Sequence, residues 1–334
     1  MPLSAQFDTL GGPENIVLVE KSVPDPAPGE VQVRVRAAGL NRAELLYVAG
    51  QYLLPPPIPG APLGAEGSGE VIAVGNGIET ISEGDRVCIL PMIDWAKCGV
   101  LAEVVNVPAE AVELIPDGVS YEDAAAFWMA YATAYGMIVQ QGGLPIDAAG
   151  KTAAITGASS SVGIAALQIL NAIKATSIAT TRTPLKVDAL KNAGAEHVMI
   201  TDNEDFVERV SEITGGRGVD LVCDSIVGPM IAPATEALVP EGTLVLMGFQ
   251  SGEVPGLPFF PLLSKGLTIR GFHLVWHLLD HPERRKAAVD FLSPLWGSGE
   301  LKPLIAETFE FEDVAAAYAH MASNEHVGKM IVRI

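Results

Sequence analysis

Gly157, Ser160 and Gly163 combine residue type and spacing in a way that can do chemistry. They stand in the run T-A-A-I-T-G-A-S-S-S-V-G-I-A-A-L, residues 152–167. Small residues three apart let backbone approach a bulky anion. A helix opening at such a turn offers free N–H groups and the positive end of its dipole. The chemistry implied is binding of a pyrophosphate. The spacing is Gly-x-x-Ser-x-x-Gly rather than G-x-G-x-x-G, and the hydroxyls of Ser160 and Ser161 add donors where glycine has only an N–H. A dinucleotide site places the group that meets the adenosine ribose about 20 residues further on. There the sequence reads A-T-T-R-T-P-L-K, with no Asp or Glu. Arg182 and Lys186 bring positive charge and Thr183 a hydroxyl, which suits a ribose 2′-phosphate and hence NADP(H). Later strand ends, Asp224-Ser225 and Met247-Gly248-Phe249, would line the same crevice.

These residues need a scaffold of strands feeding helices, and the pattern supplies one. From residue 122 onward, apolar strands and helices alternate. Strands are expected at 152–156, 177–181, 197–200, 219–224, 243–247 and 267–273. Helices are expected from 164, and at 184–193, 204–214, 229–239 and 282–296. Such alternation means a doubly wound parallel sheet. Before residue 121 the texture differs. Residues 31–37, V-Q-V-R-V-R-A, alternate as a half-buried strand does, and further strands are expected near 69–74 and 85–90. Turn signals separate them, as in a small β-barrel or sandwich. Residues 54–62 hold five prolines and read as an extended loop. Residues 329–334 are apolar and β-like.

The 334 residues suggest two domains at about 150 residues each. With 49% hydrophobic and 18% charged residues the chain can bury a large core. Its formal net charge of −19 argues against nucleic acid or an anionic membrane as partner. Cys88, Cys98 and Cys223 form no C-x-x-C pair, so neither a disulfide framework nor a zinc knuckle is expected. Reduced thiols, the absence of a signal-peptide pattern in M-P-L-S-A-Q-F-D, and the lack of any apolar run near 20 residues point to the cytoplasm, away from membranes.

Several motifs in order carry a resemblance to a known family. They are G-G-P-E (11–14), P-x-P-x-P-G-E-V-x-V-R-V (24–35), G-L-N-R-A-E-L (39–45) and L-G-A-E-G-S-G-E-V (63–71). V-G-N-G-I (74–78), G-D-R-V (84–87), E-I-T-G-G-R-G-V-D (212–220), D-S-I-V-G (224–228) and H-V-G-K (326–329) follow. Together they resemble the zinc-independent quinone oxidoreductases of the medium-chain dehydrogenase/reductase superfamily. The resemblance implies an α/β protein. A GroES-like, β-rich catalytic domain would take residues 1–122 and 266–334, and a Rossmann NADP(H)-binding domain residues 123–265, with the active site in the cleft. It also implies NADPH-dependent reduction of a quinone or an α,β-unsaturated carbonyl, and a homodimer.

The zinc alcohol dehydrogenases of the superfamily carry Cys where Asn41 stands and His where Ala65 stands, just before the match to Glu66. Neither ligand is present here, and the lobe for structural zinc is missing, so no metal is expected. His273, His277 and His281 stand four apart but read better as the entry to a surface helix. Without a metal, a plain alcohol lacks its base and electrophile. Hydride transfer to an enone or quinone needs less help: a positioned cofactor, donors to the carbonyl oxygen and exclusion of water. By resemblance Asn41 and Tyr52 are the catalytic candidates, Asn41 donating through its amide and Tyr52 through its hydroxyl. Thr133, Ser159, Ser160, Ser161, Val162, Arg182, Thr183, Lys186, Ser225, Met247, Phe249 and Lys329 form the expected cofactor set. Tyr131 and Trp128 read as packing, and Trp95 sits on a loop near the cleft. Departures from the family include Gly157 and Ser160 in the turn, Ala130 in place of a lysine, and the aromatic segment 271–280, expected to shape the substrate pocket or a dimer contact. Two other readings remain at this point: a zinc-less alcohol or aldehyde reductase, and a non-catalytic nucleotide-binding or redox-sensing protein.

Overall fold

Two compact units divide the chain. Met1–Met129 with Pro303–Ile334 form the first and Ala130–Lys302 the second. The coordinates are a computed structural model that describes residues 1–92, 94, 95 and 97–334.

The second unit is built on six parallel strands, ordered His197–Ile200, Thr176–Thr181, Thr152–Ile155, Val219–Asp224, Leu238–Leu246, Thr268–Gly271. Numbered along the chain this is 3-2-1-4-5-6, the Rossmann order. Every residue of Thr152–Ile155 and Val219–Asp224 is buried, as expected of central strands covered on both faces. The strand order reverses between these two, and in open α/β sheets that is where ligands bind. Helix starts follow local chemistry. Asp205 caps Phe206–Thr214 by accepting the Val207 and Glu208 N–H groups at 2.9 Å, and Gly215 ends that helix in the left-handed region.

The first unit is mainly antiparallel. A three-stranded sheet runs Ile16–Glu20, Leu3–Phe7, Ala61–Pro62. A larger sheet runs Ile305–Glu310, Lys329–Arg333, Glu30–Gly39, Glu66–Val74, Arg86–Ile89, Val112–Leu114, with Val104–Pro108 also paired to Glu30–Gly39. The strand Lys329–Arg333 lies antiparallel to Glu30–Gly39, Ile331 opposite Gly39. The end of the chain therefore completes a sheet begun near its start.

The division falls elsewhere than the expected 122/123 and 265/266. Residues 266–302 group with the parallel sheet, because Thr268–Gly271 extends it alongside Leu238–Leu246, Thr268 opposite Thr243. Residues 121–141 form two helices, Tyr121–Ala125 and Trp128–Tyr135, followed by the π-helix Gly136–Gln141. Ser120 caps the first by accepting the Asp123 N–H. Among the described residues no helix is long and apolar enough to cross a membrane.

Candidate active site

In the second unit, the strand Thr152–Ile155 leads through Thr156–Ser160 into the helix Ser161–Ala172. Two glycines permit this turn. Gly157 has φ +59°, and a Cβ there would stand 2.7 Å from Ser225 Oγ. A Cβ on Gly163 would run into the backbone of Ala158, so the first helical turn packs directly on the chain before it. Ser160 Oγ accepts the Gly163 N–H at 3.1 Å and so caps the helix. Capping uses the oxygen as acceptor and leaves the hydroxyl proton available for donation. The first N–H groups of the helix, at Ser161 and Val162, have no carbonyl within the helix four residues back.

Thr181 ends the next strand and exchanges hydrogen bonds with the backbone of Thr183. Thr183 Oγ1 in turn accepts the Leu185 N–H at 3.3 Å. That turn brings Lys186 Nζ within 3.4 Å of Ser159 Oγ, while Arg182 is exposed. A basic group therefore stands directly on the small-residue turn.

Thr156 and Asp224 join the two central strand ends, a role the sequence reading missed because their partners lie 68 residues apart. Asp224 is fully buried. Its carboxylate accepts the Thr156 hydroxyl at 2.5 Å and the N–H groups of Ile226 and Val227 at 2.9 and 3.2 Å. Thr156 Oγ1 accepts the Ser225 N–H, and Ser225 Oγ donates to Thr156 O. Val227 is held at φ +61°, ψ −159°, a conformation costly for a β-branched residue. Met247 is half-buried and Phe249 is 45% exposed beyond the end of Leu238–Leu246. Thr133 is buried on Trp128–Tyr135.

The first unit holds a buried polar cluster. Asn41 caps the helix Arg42–Val48, and its N–H donates to Glu44 Oε2 at 2.7 Å. Lys329 Nζ donates to Asn41 Oδ1 at 2.6 Å and to Glu66 Oε1. Asn41 Nδ2 donates to Gly39 O at 3.0 Å and lies 3.4 Å from Glu66 Oε1. Glu66 Oε2 accepts the Met129 N–H, and Glu44 accepts the Ala65 N–H and the Tyr318 hydroxyl, both at 2.8 Å. Gly39 makes the room: a Cβ there would meet the Ala125 carbonyl and stand 2.7 Å from Lys329 Cε. Burial pushes the Glu44 carboxyl up to about 7, against the Asn41 N–H, the Tyr318 hydroxyl, the Lys329 charge and the Ala65 N–H, which favour ionisation.

This geometry bears on two expected site residues. Lys329, expected in the cofactor set, is 2% exposed, and its ammonium is bound into the Asn41–Glu66 cluster. Asn41 is 8% exposed, and both ends of its amide are engaged within the same unit. At the zinc-ligand positions a methyl group offers no lone pair and the Asn41 amide oxygen accepts from the Lys329 ammonium, so the donor set does not fit zinc. Among the described residues no group of three or more His, Cys, Asp or Glu side chains could hold a metal.

Tyr52 is half-buried and stacks on Trp95, ring centroids 5.2 Å apart and planes 22° apart. Its pKa is raised by burial and then by the charge of Glu44. The segment after Thr268–Gly271 packs within its own unit. Phe272 fills the space over Gly136, the His273 N–H donates to His277 Nδ1 at 2.8 Å, and Trp276 stacks on His273. Tyr131 donates to Gln168 at 2.7 Å, and Trp128 Nε1 lies 2.9 Å from Cys88 Sγ.

Comparisons with known proteins agree with this architecture. Residues 27–117 match the family model described as alcohol dehydrogenase GroES-like domain, and residues 161–293 the one described as zinc-binding dehydrogenase. The chain is 32% identical to the synaptic vesicle membrane protein VAT-1 homolog of Rattus norvegicus, over 97% of this chain and 82% of that protein. It is 31% identical to a quinone oxidoreductase of Pseudomonas aeruginosa over 98% of each. The crystal structure of Escherichia coli quinone oxidoreductase complexed with NADPH matches with a TM-score of 0.90 at 30% identity, covering 99% of this chain and 100% of that one.

Proposed function

Because the chain belongs to the quinone oxidoreductases of the medium-chain dehydrogenase/reductase superfamily, we propose that this oxidoreductase uses NADPH to reduce a quinone or an α,β-unsaturated carbonyl without zinc. The observation that carries the cofactor choice is Lys186 Nζ on Ser159 Oγ, with Arg182 exposed immediately after the buried run of the strand Thr176–Thr181 and no acid at that strand's end. Residues that fit a dinucleotide are already arranged: the Gly157 turn, the capped start of Ser161–Ala172 and the tied strand ends at Thr156 and Ser225.

In this reading the N–H groups of Ser161 and Val162 and the hydroxyls of Ser159, Ser160 and Ser161 hold the pyrophosphate. Arg182, Lys186 and Thr183 hold the 2′-phosphate. Thr133, Ser225, Met247 and Phe249 line the remainder of the cofactor site. NADPH, when bound, supplies the hydride. Tyr52 donates a hydrogen bond, then its proton, to the acceptor oxygen as negative charge gathers there. Its raised pKa keeps the phenol protonated at neutral pH. Lys329, Asn41 and Glu66 hold the catalytic unit's interior in one arrangement. The same reading makes the enzyme a cytoplasmic homodimer. Three unpaired thiols suit a reducing compartment. The exposed apolar residues Val254, Leu257, Phe259, Phe260 and Leu263 suit a protein partner.

The test follows NADPH oxidation with four acceptors: a quinone, an α,β-unsaturated ketone, an enoyl thioester and a simple ketone. Turnover is expected with the first three classes or a subset of them. Activity confined to the simple ketone overturns the reading. NADPH binding without turnover on any acceptor does so too, in favour of a non-catalytic protein. Tyr52→Phe is expected to lower kcat about 10²-fold while leaving the KM for NADPH unchanged.

A further inference from the structure

Four aromatic rings run outward from the core of the first unit. Phe7 and Tyr47 are buried, at 0% and 1% exposure. They meet edge to face, centroids 5.6 Å apart. Tyr47 meets Trp95 the same way, at 5.2 Å with planes 69° apart, and Trp95 stacks on Tyr52. The Tyr47 hydroxyl donates to the Trp95 carbonyl at 3.3 Å, so the ring that braces the indole also fastens its backbone. Tyr52 itself lies past the end of Arg42–Val48, between exposed Gln51 and Leu53, with Leu54 exposed beyond. Its flanking backbone therefore gains little rigidity from packing.

We propose that Trp95 is a positioning residue for the Tyr52 phenol. The stacked indole fixes the plane of the phenol ring, and with it the line along which the hydroxyl points. A proton donor must hold its O–H within a narrow cone about the acceptor oxygen, and small misplacement costs rate. Two rotatable bonds separate the Tyr52 backbone from its ring, and the stack removes that freedom. Tyr47 and Phe7 transmit the rigidity of the core to the stack. This inference rests on the reading of Tyr52 as the donor.

The experiment is a double-mutant cycle in the full-length protein: wild type, Trp95→Ala, Tyr52→Phe and the double variant, assayed with NADPH and an α,β-unsaturated ketone that the wild type reduces. Trp95→Ala is expected to lower kcat about tenfold with the KM for NADPH unchanged. In the Tyr52→Phe background the same change is expected to cost little more, because the group it positions is already gone. Trp95→Phe, which keeps a stacking ring, is expected to restore most of kcat. Should Trp95→Ala not fold, Trp95→Leu takes its place. Equal losses in both backgrounds, an unchanged kcat for Trp95→Ala, or no rescue by Trp95→Phe overturns the proposal while leaving the donor reading intact. A fully active Tyr52→Phe overturns the donor reading, and the proposal with it.

Discussion

Replacing Lys329 by methionine is expected to cost about 3–5 kcal/mol of stability, the loss seen when one member of a buried ion pair is removed and the other stays. The methionine stem fits where the lysine stem ran, beside Gly39. What disappears is the charge. Glu66 is left 1% exposed without its cation, and the Asn41 carbonyl loses its donor. The loss should grow with pH. Glu44 is raised from 4.5 to about 7 by burial, so the folded protein holds that proton more tightly than the unfolded chain. The stabilisation from this proton is fully present below about 4.5 and lost as pH rises through 7. Lys329 works against the upward shift, so its removal leaves a more costly anion at pH 8 than at pH 5. Urea denaturation at both pH values measures the difference. Adding Glu66→Gln to Lys329→Met should recover part of the loss, since a neutral buried pair carries no uncompensated charge. A Lys329→Met protein as stable as the wild type at pH 8 would contradict the burial and pairing described here.

Arg182→Ala combined with Lys186→Ala should weaken NADPH binding about 10³-fold and NADH binding little. Each side chain would meet the 2′-phosphate through charge-assisted hydrogen bonds, and NADH has no such group. The wild-type affinity for NADPH should also fall with added salt more steeply than that of the variant, because surface charge pairs are screened. Calorimetric titration with both nucleotides reads these effects independently of turnover. Equal weakening for NADPH and NADH would sink the 2′-phosphate assignment. Thr183→Ala is a poorer test, since its hydroxyl also caps the turn at Leu185.

The parallel sheet was legible because its evidence is local. Apolar runs such as 219–224, each followed by a helical stretch, announce strands buried on both faces, and S-S-S-V-G announces a capped helix. Some elements were concealed by their punctuation. The strand Leu238–Leu246 runs through Pro240, Glu241 and Gly242, with Glu241 at φ +63°, so the sequence there reads as a turn. The boundary near 265 came from the resemblance, at odds with the alternation that counts 267–273 among the strands of the parallel sheet. Backbone pairing places that strand in the parallel sheet. The buried cluster was the least legible part. Asn41 and Lys329 lie 288 residues apart, and nothing local to H-V-G-K says that its lysine is enclosed. Resemblance flagged both positions, but their partnership is a tertiary fact.

The strand Lys329–Arg333, seated between Ile305–Glu310 and Glu30–Gly39, carries a consequence for the order of synthesis. About 200 residues separate Met129 from Lys329, and at 5–20 residues per second the ribosome needs about 10–40 s to make them. During that interval Glu44 and Glu66 exist without the lysine that neutralises them, and Ala37–Gly39, which pair with Lys329–Arg333 in the finished sheet, lack that neighbour. The second unit is contiguous and has all its strands before the first unit can finish its own. The ammonium that holds Asn41 in the mature protein is thus a late arrival, and its docking marks the moment at which the nascent chain has been read far enough to close.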